Sequence, residues 1–414
     1  MSGNVVKLNQ NTVVWKTNKT IYMEAPSGVT CPDGHLLLLN KALYGLKQSP
    51  RQFNTLLDDF IQTELKFAPL LSDKCVYQKR SKSNHVILLG IFVDDILVSV
   101  NNQDQAEWLE LKSRIQHRFS TKDLGELSRM LGMQIDQSAG SITISQQDMI
   151  DKLVDQHGLS ECKPTKTPEA TGVNHQPHTG QAPAQVIKSY QSVIGSLTYI
   201  CYATRPDLTH AVNTLSRYST NPSKEHFVAL KRILKYLRGT STLALHYVKS
   251  DGPDVITSAY TDADWGGDQS TRRSVSGNVI KLNQNTVVWR TKRQTRVSAS
   301  TSESEYLALA EGVKDVEWLQ NFLFEITKVQ HQVKMYCDNQ ATIHMVKNDS
   351  HFKARHLDIS AQFVNSNIMR AHYSLTWCPS EDMQADIMTK ATGEPTFARM
   401  RSLIMNVTSQ SVTR

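Results

Sequence analysis

Ile87-Leu88-Leu89-Gly90-Ile91-Phe92-Val93-Asp94-Asp95-Ile96-Leu97-Val98-Ser99-Val100 carries two adjacent carboxylates inside an otherwise apolar, β-branched run. A basic, polar loop from Lys79 to His85 precedes it and Asn101-Asn102 follows. Apolar runs on both sides predict two buried strands, with Asp94 and Asp95 at the turn between them. Carboxylates held there are costly unless something cationic meets them, and a divalent metal ion is the first candidate. A bare Asp-Asp pair is by itself better explained as an acidic hairpin turn. The rest of the chain decides.

At 414 residues, the chain has room for two or three domains with separate cores. A formal charge of +7 leans modestly towards a polyanionic partner. Six cysteines (Cys31, Cys75, Cys162, Cys201, Cys337 and Cys378) show no CxxC spacing, which argues for reduced thiols and against a zinc site. The expected setting is therefore intracellular, cytoplasmic or nuclear. No apolar run reaches membrane-spanning length, and the polar start is not a signal peptide.

Taken in order, the chain first shows an internal repeat. Ser2 to Thr17 recurs as Ser276 to Thr291, with only Val6/Ile280 and Lys16/Arg290 different. Two alternating segments around Asn-Gln-Asn predict a β-hairpin for each copy. Two copies do not make a solenoid, so a copying event that pasted one hairpin onto the front is the expected origin.

Breakers dominate from Ile21 to Gly45. A helix is predicted over 53–65, strands over 75–78, 86–92 and 96–100, and a helix over 103–119. A strand pair (130–135, 141–145) and a helix (147–157) follow. Residues 162–184, with Pro164, Pro168, Pro177 and Pro183, read as a linker. Three helices come next (190–202, 207–218, 223–237). The last carries an outward basic stripe, Lys231, Arg232, Lys235 and Arg238, that either tracks phosphates or is plain solvated charge. Residues 255–377 alternate strands and helices, a last helix is expected over 382–390, and the tail after Thr392 has little pattern. This is a complete α/β domain of ordinary size.

Within that domain the acids sit at element ends. Asp262 and Asp264 close the first strand, Glu303 and Glu305 open the long helix, Asp338 ends the central strand and Asp386 starts the last helix. Strand ends and helix starts converge on one edge of an α/β sheet, so these acids can meet. Clustered carboxylates repel, and two divalent cations relieve that while activating a water and steadying a leaving phosphodiester oxygen. Each acid alone also has a plain structural reading. Glu305 or Glu303 could complete a capping box with Ser302 or Ser300, Asp386 could favour a helix start, and Asp338-Asn339 is turn chemistry. Four in this order favour the functional reading.

Tyr260-Thr-Asp-Ala-Asp-Trp265, Ser302-Glu-Ser-Glu-Tyr306, Cys337-Asp-Asn-Gln-Ala341, Arg355-His-Leu-Asp-Ile359 and Ala385-Asp-Ile-Met-Thr-Lys390 resemble the ribonuclease H domain of copia-type retrotransposons. Upstream, Asn40 to Arg51, Phe92-Val-Asp-Asp95, Asp123-Leu-Gly-Glu126, Leu131 to Ile135 and Thr204-Arg-Pro-Asp-Leu208 resemble the reverse transcriptase half of the same Pol polyprotein. The resemblance implies that Asp262, Glu305, Asp338 and Asp386 hold two Mg2+ ions (Mn2+ as a substitute) and cut RNA in an RNA–DNA hybrid. It implies that Asp94 and Asp95 are palm metal ligands, and that Gly45, Lys47, Gln48 and Arg293 contact substrate. Asp264, Glu303 and Asp358 are not carried over as ligands, and His356 lies in a family motif.

The family's palm has a third aspartate on a strand before the segment resembling 21–26, and no acid precedes Glu24 here. The expectation is an N-terminally truncated fragment whose polymerase site lacks a ligand, the copied hairpin filling the palm sheet edge left open by the lost strand. The fold class expected is α/β: an α+β palm-like remnant, a helical connection, and a ribonuclease H-like domain with a mixed five-stranded sheet. The expected divisions are 1–19 (copied hairpin), 20–160 (partial palm and thumb), 161–250 (linker and connection), 251–392 (ribonuclease H-like) and 393–414 (tail). Expected partners are an RNA–DNA hybrid or other nucleic acid, with no membrane, and a second copy or other Pol or Gag products of the element. Two alternatives stay open: a polymerase completed by a second chain, and a non-catalytic nucleic-acid-binding relic.

Overall fold

The apolar runs around Asp94-Asp95 form two strands, Val86–Phe92 and Asp95–Val100, paired antiparallel with Phe92 opposite Asp95. The turn itself is Val93-Asp94, so Asp95 opens the second strand rather than sharing the turn. The computed structural model describes residues 2–8, 15–16, 21–26, 28–32, 34–39, 41–42, 46–47, 49–119, 121–138, 140–250, 252, 254–347 and 358–407. Contacts divide it into two compact units, residues 1–127 with 325–328, and residues 128–324 with 329–414. Residues 128–160, expected within the partial palm and thumb (20–160), fall in the second.

In the first unit a six-stranded antiparallel sheet runs in the order Thr121–Glu126, Ser2–Leu8, Asp95–Val100, Val86–Phe92, Val76–Arg80, Ala68–Pro69. Helices Ser49–Thr63 and Gln105–Arg118 bring Leu57, Phe60, Ile61, Trp108, Leu111 and Ile115 against Ile87, Leu89, Ile96 and Val98. The alternating burial of Asp95–Val100 is the period-2 pattern of a sheet covered on one face.

Here the repeat departs from expectation. Among the described residues, only the second copy shows the hairpin: Arg273–Leu282 pairs with Asn285–Arg293. The first copy's leading strand, Ser2–Leu8, pairs instead with Asp95–Val100 on one side and Thr121–Glu126 on the other. Its Trp15–Lys16 pairs with Lys41–Ala42. The same sequence thus serves as an interior strand, antiparallel to both neighbours, in two sheets, because what it specifies is alternation rather than a partner.

The second unit holds a four-stranded antiparallel sheet (Arg129–Met130, Met133–Ser138, Ser141–Ser145, Leu245–Val248) and the helices Gln147–Gln156, Ala184–Ala203, Thr209–Ser216 and Lys224–Arg238. Its five-stranded mixed sheet runs Asn285–Arg293, Arg273–Leu282, Ile256–Asp268, Gln332–Cys337, Tyr373–Trp377. The first three are antiparallel and the last two join in parallel, giving the expected α/β architecture. Arg273–Leu282 is buried on both faces. Val279 packs with Ile387, Phe397, Met400 and Ile404, while Ile280 packs with Tyr306, Leu309 and Val313 of the long helix Thr301–Thr327.

Three further expectations change. The segment over 382–390 is not one helix but a single turn, Ser380–Asp382, and a short helix, Asp386–Thr389. The tail contains a helix, Glu394–Met405, whose Phe397, Met400, Ile404 and Met405 are buried. The linker is irregular but anchored. Thr165 donates to the Arg232 carbonyl, Arg232 Nη2 to Thr167 Oγ1, Tyr218 to the His175 carbonyl and Arg238 Nε to the Ser160 carbonyl. Arg232 of the basic stripe is therefore spent on holding this segment against its own helix, and Arg238 on Ser160, just before it.

Candidate metal centre

The central strand Ile256–Asp268 carries Asp262, which is 2% exposed and stands opposite Gly277 of the neighbouring strand. A Cβ at Gly277 would lie 2.6 Å from the Met388 Cβ and 2.7 Å from the Thr389 Cγ2. Only glycine lets the Asp386–Thr389 helix rest on the sheet at that point, and that close approach sets Asp386 beside Asp262. Gly312 plays the matching part for the long helix, since a Cβ there would lie 2.5 Å from the Thr261 Cγ2. Glu305 is seven positions, about two turns, before Gly312 and so shares its face. Asp338 directly follows the parallel strand Gln332–Cys337. Sheet and helices thus deliver the four acids to one edge.

Oxygens of Asp262, Asp338 and Asp386 lie within 4.8 Å of one another, and Glu305, Cys337 and Asp338 form a second such group. Thr389 Oγ1 donates to Asp262 Oδ2, and Ser380 Oγ donates to Asp338 Oδ2 at 3.0 Å. Glu305 Oε2 is buried with no hydrogen-bond partner among the described residues. A buried carboxylate oxygen of this kind suits a hard cation, and the all-carboxylate donor set suits Mg2+ or Mn2+. The residues fit the group. Buried Cys337 is a poor ligand here, since burial and then Glu305 raise its thiol well above the ordinary range.

Electrostatics mark the same cluster. Burial, partly offset by Lys390 and reinforced by Asp386, raises the Asp262 carboxyl to about 6. Burial followed by Asp262 and Asp338 raises Glu305 to about 10. Burial also raises Asp386. Lys390 Nζ lies 3.0 Å from Asp386 Oδ1 and 4.0 Å from Asp262 Oδ2. Burial alone would lower its pKa, but those two carboxylates outweigh it and keep the ammonium protonated. Sequence reading missed Lys390 as a site residue, although its spacing four residues after Asp386 on a helix was a usable signal.

The structure also separates the acids that sequence left ambiguous. Glu303 accepts from the Ala299 amide at 2.7 Å, and its own amide donates to Ser300 Oγ at 3.2 Å, so it caps the helix. Glu305 has no such bond to Ser302 among the described residues. Asp264 is raised by burial but belongs to neither close group. Arg293 is ion-paired with Asp268. Lys47 is exposed in a turn; Gly45, Gln48 and His356 lie outside the described residues, as does the side chain of Asp358. Asp94 and Asp95 sit at their hairpin in the first unit, beside the strand Ser2–Leu8.

Comparison with known proteins adds four findings. The family described as Reverse transcriptase (RNA-dependent DNA polymerase) matches residues 8–171. The retrovirus-related Pol polyprotein from transposon TNT 1-94 of Nicotiana tabacum is 34% identical over 394 residues, 93% of this chain and 29% of the relative, so the chain spans under a third of that protein's length. A transposon Ty5-1 protein of Saccharomyces cerevisiae is 30% identical over 306 residues, 72% of this chain and 96% of the relative. Among solved structures, LC11-RNase H1 in complex with RNA/DNA hybrid is 20% identical over 32% of this chain and 93% of that one, with a TM-score of 0.27. No helix among the described residues is long and apolar enough to cross a membrane.

Proposed function

Because the chain belongs to the copia-type retrotransposon Pol polyprotein family, we propose that its second unit is a metal-dependent ribonuclease that cuts the RNA strand of RNA–DNA hybrids. The observation that carries this reading is the cluster itself: three carboxylates within 4.8 Å, and a fourth with a buried oxygen that has no hydrogen-bond partner among the described residues. Asp262, Asp338 and Asp386 would hold one cation, and Glu305 with Asp338 the other. Bound cations would supply the charge that activates water and steadies the departing ribose oxygen.

The chain's own residues do the positioning. The Thr389 hydroxyl fixes the Asp262 carboxylate and Ser380 fixes that of Asp338. Lys390 supplies positive charge to the Asp262–Asp386 side and lowers the cost of gathering carboxylates there. Gly277 and Gly312 set the approach of the two helices that carry Asp386 and Glu305. Recognition through phosphates and the 2′-hydroxyl makes low sequence specificity the expected outcome.

Cleavage of a labelled hybrid in Mg2+ or Mn2+ tests the reading, with Asp262→Asn as control. Wild-type cutting to 3′-hydroxyl and 5′-phosphate ends, abolished in the variant, supports it; equal silence of both proteins sinks it. Polymerase activity is the second reading, favoured by the Asp94-Asp95 hairpin within the matched reverse transcriptase region. Against it, the strand beside Asp95–Val100 is Ser2–Leu8, which contains no carboxylate. Primer extension on an RNA template that disappears with Asp94→Asn would establish a polymerase, completed by a second chain or otherwise.

A further inference from the structure

Two tryptophans are hydrogen-bonded to the backbone of segments that carry or lead into acids of the cluster, and the ribonuclease reading does not use them. Trp265 follows Asp262 by three residues on the central strand. Its indole N–H donates to the carbonyl of Ser298 at 3.0 Å, in the segment that enters the Glu305 helix. Trp377 ends the edge strand Tyr373–Trp377, and its indole N–H donates at 3.0 Å to the carbonyl of Asp338 itself. Each residue remains 47% exposed. Indole has one polar atom, a donor, and in both residues it is spent on the backbone of an acid-bearing segment. What is left for solvent is apolar ring.

That arrangement is costly for a surface with nothing to bind and useful for one with a ligand. The rings are tethered, so contact with them orders little that is free. Four carboxylates at the same edge repel the phosphates of an approaching nucleic acid, so charge alone is a poor source of affinity here until cations bind. Stacking on a base or sugar face is indifferent to that repulsion, because it engages the uncharged part of the nucleotide. Protein partners would also welcome aromatic anchors. Placement beside the acids, each ring bonded to a segment that carries one of them, favours the molecule that those acids would cut.

We propose that Trp265 and Trp377 are substrate-contacting residues that grip the RNA–DNA hybrid through base or sugar faces. This rests on the ribonuclease reading above. Trp318 is a built-in control: it is 45% exposed and stacks on Phe322, thirteen positions beyond Glu305 and so about 20 Å along the same helix.

The test uses the full chain carrying Asp262→Asn, which removes cutting, and measures the dissociation constant for a short fluorescent hybrid in Mg2+. Trp265→Ala and Trp377→Ala should each weaken binding about tenfold, Trp377→Phe should stay near the parent, and Trp318→Ala should change nothing. Alanine variants that bind like the parent overturn the proposal. So does Trp377→Phe falling as far as Trp377→Ala, which would make the tie to Asp338 the active element. A parent protein that binds no hybrid overturns it as well. Should an alanine variant not fold, quenching of indole emission by the hybrid reads the same contact; it should drop sharply in the Trp265→Phe, Trp377→Phe double variant, and undiminished quenching overturns the proposal. A wild type that never cuts but binds in a Trp-dependent way would sink the ribonuclease reading alone. A wild type that cuts, with tryptophan variants binding like the parent, would sink this one alone.

Discussion

Arg205 and Asp207 form a two-pronged ion pair with no solvent exposure on either side chain, Nε to Oδ1 at 2.9 Å and Nη2 to Oδ2 at 2.7 Å. Asp207 also accepts the Tyr236 hydroxyl at 2.5 Å, and the Tyr236 oxygen in turn accepts from Arg401 Nη1 at 2.9 Å. The pair therefore joins the connection helices to the tail helix. Burial by itself would raise the Asp207 pKa, but Arg205 and Tyr236 outweigh it and hold the carboxyl below its ordinary range. Removing one partner leaves a buried charge unmatched, so Asp207→Asn should cost about 3–5 kcal/mol in chemical denaturation. Arg205→Lys should also be destabilising, because an ammonium cannot reproduce the fork. A depressed carboxyl contributes stability above its unfolded value near 3.9 and loses it as pH falls through the folded value. Asp207→Asn should accordingly flatten the acid limb of the unfolding profile; an unchanged limb would show that the pair does not titrate as argued.

Val93 tests the hairpin. It takes φ of 54° and is 59% exposed, so its side chain packs little while its backbone sits in the left-handed region. That conformation costs an L-residue about 1–2 kcal/mol, and more for a β-branched one. Glycine relieves the strain and costs about 0.5–1 kcal/mol in unfolded-state entropy. Val93→Gly should therefore be neutral to stabilising by about 1 kcal/mol in a denaturant melt. A clear loss of stability would mean that the turn depends on the valine side chain.

How much of this was legible in the sequence follows from what each pattern encodes. Period-2 apolarity located Val86–Phe92, Asp95–Val100 and the sheet that carries Asp262, because that pattern is a direct record of a covered strand. It could not say which strand pairs with which. Ser2–Leu8 therefore looked like half of a hairpin, and is instead an interior strand between segments about ninety and a hundred and twenty residues away in the chain. The element ends that carry Asp262, Glu305, Asp338 and Asp386 could be read because acids there interrupt otherwise apolar text. The close-approach roles of Gly277 and Gly312 could not, since a glycine that admits a helix and one that merely turns are the same letter. The tail helix was missed because Arg399, Arg401 and Ser402 break up its apolar stripe, although Arg401 is itself buried against Tyr236.

The copied strand gives the next prediction. Val5 stands opposite Leu97 on one side and Gly125 on the other, in the interior of the first unit's sheet. Proline there removes a ladder hydrogen bond and its ring does not fit a central strand. Val5→Pro should cost the first unit about 3 kcal/mol, and deletion of residues 1–19 should expose two strand edges and promote aggregation visible by light scattering. Hybrid cleavage by the second unit should survive both changes. If Val5→Pro is neutral, the strand is an ornament and not part of the sheet.

The acid cluster makes a prediction about pH that needs no substrate. Without cations, burial and neighbouring carboxylates place Glu305 at about 10 and Asp262, despite the opposing pull of Lys390, at about 6. Their unfolded values lie near 4.3 and 3.9. Both are raised on folding, so the folded chain binds more protons than the unfolded one between those limits. Their contribution to stability is whole below about pH 4 and is lost as pH rises, through about 6 for Asp262 and up to about 10 for Glu305. Cation binding opposes that loss, and it must displace the Glu305 proton to use the buried oxygen. The increase in melting temperature on adding Mg2+ should therefore be small at pH 5 and grow through pH 7 to pH 9. Glu305→Gln removes both the proton and the charge, and should raise the melting temperature of the cation-free protein at pH 9 while shrinking the Mg2+ increment. An increment that is the same at all three pH values in wild type and variant would mean that Glu305 takes no part in holding the cation.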